Sequence, residues 1–165
     1  MENKLQHITP NQFVKTLTII HLALVVGVVI FTCVTLFLNK DAMNFEFSGE
    51  DSFLLIYPVI AIGGVSMSQL LFKKMLAVAK QKTDLIAMLG QYQTASLIKY
   101  VLIEGPAMIG TVFFLLTNNA AFIAIAGLLI AFLVLQRPTK TKIESDLALR
   151  GELRNQFQRY DEVIE

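Results

Sequence analysis

The residues able to carry chemistry in this chain are few, and they stand inside apolar surroundings. Glu104 is the sharpest: it interrupts a long apolar run and is followed by Gly105 and Pro106. A charged carboxyl alone in hydrocarbon costs several kcal/mol, so Glu104 must be protonated, paired or reached by water. Its candidate partners are Lys99 in the same run, His21 in the first apolar run, and Ser66, Ser68 and Gln69 in the second. Lys99 is about 7.5 Å of helix rise from Glu104, within reach of the acid or of the interface. Pro106 lacks an N–H and frees the carbonyl of Leu102, while Gly105 leaves room for a helix or a water. Gly63 and Gly64 give the second run a surface that a neighbouring helix can approach closely. Two chemistries suit such a cluster: a proton or ion site centred on Glu104 and tuned by Lys99, His21 and Gln69, or a buried clip that holds helices together.

Other chemistries find no residues. A zinc site wants clustered His, Cys or acids, but the histidines are His7 and His21 alone, and Cys33 is the single cysteine. Paired haem ligation inside the apolar runs would need a second histidine there. No G-x-x-x-x-G-K-[ST], G-x-G-x-x-G or G-x-S-x-G is present. The expectation is therefore no enzyme, no catalytic residue, no metal, no cofactor and no nucleic-acid partner.

The elements that position these residues follow from composition. Apolar residues make up 55% of the 165 and charged ones 16%, against about 25% charged in soluble domains. The apolar residues concentrate in four stretches, about 17–38, 53–72, 95–117 and 120–135, near the roughly 20 residues that cross a bilayer as a helix. Of the 14 lysines and arginines, all but Lys40 fall before the first stretch, between the second and third or just inside the start of the third, where Lys99 lies, and after the fourth. Lys40 sits among Asp41, Glu46, Glu50 and Asp51, and an uncharged Asn118-Asn119 turn joins the last two stretches. Because basic residues near span ends stay inside, this pattern predicts four crossings with both termini cytoplasmic. The first stretch exceeds a signal-peptide core and no cleavage pattern follows it, so it is expected to remain as an anchor. Small size, orientation pattern and absence of N-x-S/T sequons point to a bacterial inner membrane.

The expected fold is all-α: an integral membrane four-helix bundle over 1–138, with a cytoplasmic amphipathic tail over 139–165. Its two hairpins read as tandem copies. Aligning Ile20-His21 with Ile103-Glu104 places Gly27 on Gly110 and Phe31 on Phe114, which implies parallel repeats. The connector, about 73–94, alternates apolar residues with Lys80, Gln81, Lys82 and Asp84, which suits a helix in the headgroup layer. Gly90 should end it, with Tyr92 and Tyr100 as interfacial anchors. Past Pro138, Thr141 and Glu144 have capping-box spacing, and Gly151 should interrupt the tail. Leu153, Phe157, Tyr160 and Ile164 then recur on one face, ready to pack on the protein itself, the membrane surface or a partner.

The stretch Ile103-Glu104-Gly105-Pro106-Ala107 is loosely similar to the ion-binding helix of the proteolipid subunits of rotary ATPases, and the resemblance covers about twenty residues. There the acid lies on the second helix of a hairpin whose loop faces the cytoplasm; here it lies on the first, with the loops facing outward, so no family is assigned. Beyond Glu104 the third and fourth stretches carry almost nothing polar, and an ion needs partners along its whole route. The leading expectation is an accessory or assembly subunit, or a homo-oligomeric component, whose partners are the bilayer, other membrane subunits or itself. The alternative is proton- or ion-coupled transport with Glu104 titrating.

Overall fold

The computed structural model describes residues 8–45 and 52–164; Lys4, His7, Glu46, Glu50 and Asp51 lie outside them. The chain is all-α, with six helices among the described residues: α1 Pro10–Asn39, α2 Ser52–Ala79, α3 Leu85–Thr117, α4 Ala120–Leu135, α5 Lys140–Leu147 and α6 Gly151–Gln158. The first three are long and apolar enough to cross a membrane, which marks a membrane protein. Their side chains fit that setting, since Leu55, Val59, Phe37 and Leu116 are each more than two-thirds exposed. In water such a surface would be an aggregation hazard; in lipid it costs nothing. α4 has 16 residues, a rise of about 24 Å against a hydrocarbon core of about 30 Å. It counts as a fourth span only when joined to α5, from which it is bent by 83°.

Two local expectations are corrected. No separate helix occupies the connector: α2 runs on to Ala79, α3 starts at Leu85, and Gly90 lies inside α3 with open space where a Cβ would point. Helix continuation keeps every backbone group bonded, and Asp84 supplies the start signal by accepting from the Ala87 N–H at 2.8 Å. The cap of α5 is Thr139, whose hydroxyl accepts from Lys142 N–H at 3.2 Å, and not Thr141. Thr139 has extended backbone angles, whereas Thr141 is already helical. Thr139→Ala should therefore destabilise the tail by about 1 kcal/mol and Thr141→Ala hardly at all, read by hydrogen exchange at the α5 amides.

The chain divides into two compact units. One comprises Met1–His21, Leu70–Ile98 and Arg137–Glu165. In it the tail is stitched to the start of α1: Asn11 N–H donates to Tyr160 O at 3.0 Å, Ile164 N–H to Ile8 O at 3.2 Å, and Asn11 Nδ2 to Asp161 Oδ1 at 2.7 Å. Phe157 and Ile164 are buried, so this part of the tail's apolar stripe is covered by its own protein. The tail is broken where Ala148 takes a left-handed conformation (φ 51) and Gly151 opens α6 at φ 53. Tyr92 is buried and its hydroxyl donates to Asp146 Oδ2 at 3.0 Å, which removes it from the interfacial role.

The other unit comprises Leu22–Gln69 and Lys99–Gln136. Asn44 donates to Asn118 O and accepts from Ala120 N–H, both at 2.9 Å, tying the end of α1 to the turn between α3 and α4. α1 and α3 thus end together and run parallel. They are clasped by Thr32 and Thr111, whose hydroxyls lie 3.0 Å apart while Thr111 also donates to Ala107 O. Tyr57, Phe114 and Phe122 form a buried aromatic core, with Phe113 packed against it. Tyr100 is buried, and its hydroxyl donates to Gln136 O at 3.4 Å, so it too is no interfacial anchor.

Candidate functional site

On α3 the buried face carries Ile103, Ala107, Thr111 and Phe114, and Glu104 stands at its edge, half-buried. Seven residues turn a helix by about 700°, so Thr111 lies within about 20° of Glu104 around the axis. Thr111 bonds Thr32, so Glu104 belongs to the side of α3 that meets α1. The parallel register set by that pair brings Glu104 level with Val25, which is buried and apolar. The carboxyl makes no hydrogen bond or ion pair among the described residues.

The other expected members are placed differently. Lys99 is buried at 6% exposure, but five residues separate it from Glu104, about 140° around the helix, and the two form no ion pair. Ser68 is fully buried and donates to Val65 O at 2.7 Å in its own helix. Ser66 is exposed and lines an open apolar groove of about 270 Å³ with Ala61, Ile125 and Leu129. Gln69 is half-buried, with no hydrogen bond among the described residues. His21 is buried in the first unit. Among the described residues no hydrogen bond or ion pair joins Lys99, Ser66, Ser68 or Gln69 to Glu104, so within the second unit the acid and its four expected partners there do not form a bonded network.

The helix-packing residues divide sharply. A Cβ on Gly64 would stand 2.5 Å from Pro106 Cγ and 2.7 Å from Leu102 O, so this glycine covers the carbonyl that Pro106 leaves without its helical donor. Gly63 and Gly105 have nothing within 4 Å of such a Cβ. Of the glycines where close approach was expected, Gly64 meets a neighbour, Pro106, while Gly63 and Gly105 stand open. Gly27 is likewise open, while Gly110, its counterpart in the proposed repeat, is pressed against the Tyr57 ring.

Tyr57 is the residue that sequence reading passed over. It is fully buried, and its hydroxyl has no hydrogen-bond partner among the described residues. Nothing distinguishes it in the sequence from an apolar neighbour except the glycine, 53 positions on, that makes room for it. Among the described residues no three His, Cys, Asp or Glu side chains converge as metal ligands. Comparison with protein-family models, with curated proteins and with solved structures finds no match. The functional reading therefore rests on the residues themselves.

Proposed function

We propose that this chain is a small polytopic protein of a bacterial inner membrane, folded as a four-span bundle with cytoplasmic termini, that catalyses no reaction of its own. It acts as an accessory or assembly subunit, or as one component of a homo-oligomer. The observation that carries this reading is Glu104, a half-buried carboxyl at the edge of the buried face of an apolar helix with no partner among the described residues. Intramembrane acids persist where something compensates them, and a donor on another subunit would do so. The open glycines Gly27 and Gly105 near its level would admit such a helix closely. The buried aromatic core of Tyr57, Phe114 and Phe122 lies further along α3, which weighs against proton or ion movement through a single copy.

Purification from native membranes in mild detergent should return the protein with a reproducible associate or as an oligomer. Glu104→Gln should weaken that association about threefold to thirtyfold, the range of one interhelical hydrogen bond, with the melting temperature of the isolated chain unchanged. A lone monomer, or association indifferent to Glu104→Gln, would sink the proposal. Proton flux into liposomes that Glu104→Gln abolishes would replace it with transport.

A further inference from the structure

From the end of α2 through the following turn, Lys73, Lys74, Lys80 and Lys82 are all exposed, and none of their side chains makes a hydrogen bond or ion pair among the described residues. The acid that follows, Asp84, accepts from Ala87 N–H as the cap of α3. In the tail, three of the six cations are partnered: Arg154 pairs with Glu144, Arg159 with Glu162, and Lys140 lies 4.2 Å over the Tyr160 ring, while Arg137, Lys142 and Arg150 are dispersed along the chain. The α2–α3 connection instead gathers four exposed, unneutralised lysines between positions 73 and 82 with no acid among them. They are also placed beside apolar surface. Leu70 is 56% exposed and Val78 48%, and Lys73 and Lys74 follow Leu70 at the three- and four-residue spacing that puts them on one face. An exposed apolar strip that passes into exposed ammonium groups matches a molecule with an acyl chain and an anionic head.

We infer that Lys73, Lys74, Lys80 and Lys82 form a binding site for the phosphate headgroup of an anionic phospholipid, whose acyl chain lies along Leu70 and Val78. Each lysine near an anionic surface contributes about fivefold in affinity. This site is independent of Glu104 and of any partner subunit.

The test is native mass spectrometry of the full-length protein in detergent, titrated with phosphatidylglycerol and, separately, phosphatidylcholine of the same chain length. The wild type should bind phosphatidylglycerol at least tenfold more tightly. Replacing all four lysines by Gln should remove that preference, replacement by Arg should keep it, and K140Q/K142Q should leave it unchanged. Because losing four positive charges can disturb insertion, K80Q/K82Q serves as a milder variant and should reduce the preference at least fivefold. Equal binding of the two lipids, selectivity that survives the fourfold Gln replacement, or displacement of the lipid by millimolar inorganic phosphate would each overturn the assignment.

Discussion

Gly110→Leu should leave almost no folded protein, and Gly110→Ala should cost about 1–3 kcal/mol, the usual range for an overpacked core. A Cβ at this position meets the Tyr57 hydroxyl and Cζ in overlap, with Cε1 at 2.9 Å. Relief would require the ring to move, and its neighbours forbid that: the Phe122 centroid is 5.6 Å away, the Phe113 centroid is 5.8 Å away edge-on, and Tyr57 has no exposed surface. Tyr57→Phe alone should be neutral or stabilising, because its hydroxyl is buried without a partner and its removal leaves no new orphan. Combined with Gly110→Ala, it should recover only part of the loss, since Cζ and Cε1 remain. Thermal unfolding in one fixed detergent measures all four proteins. Gly110→Ala melting with the wild type would show that this contact does not hold the helices.

The adjacent glycines of α2 should respond in opposite directions. Gly64→Ala drives a methyl against the Pro106 ring and the Leu102 carbonyl, and neither is the end of a flexible side chain, so a loss of about 1–3 kcal/mol is expected. Gly63→Ala meets open space and should gain up to about 1 kcal/mol from helix propensity. Pro106→Ala removes the ring and restores the N–H that Leu102 O lacks, so it should rescue Gly64→Ala in part. If the two alanine variants melt alike, the register of α2 on α3 is wrong.

The helices were legible because each depends on its own residues: an apolar run with internally bonded backbone is a helix wherever it lies. α4 occupies 120–135, and α1, α2 and α3 contain the other three stretches. Their polar ends were less legible. Lys73 and Lys74 suggested that α2 had stopped, yet exposed lysines extend a helix without cost, and α2 continues to Ala79. The expected network around Glu104 drew on residues at similar depth. Depth along an axis was readable from the sequence, and so was the five-residue offset that turns Lys99 about 140° away from Glu104, but which way each helix faces its neighbours was not, and that turns Ser66 outward.

From sequence alone came the apolar lengths, the segregation of basic residues and the one acid inside a long apolar helix, since each is a property of a single segment. Only tertiary structure decided that Gly64 and Gly110 carry the packing while Gly63, Gly105 and Gly27 stand open, that Ser68 is satisfied by its own helix, and that Glu104 has no partner among the described residues. The physical reason is that these helices are apolar nearly all round. When every face is greasy, pattern cannot say which one turns inward. Shape does, through a tyrosine seated on a glycine and a proline ring covered by another.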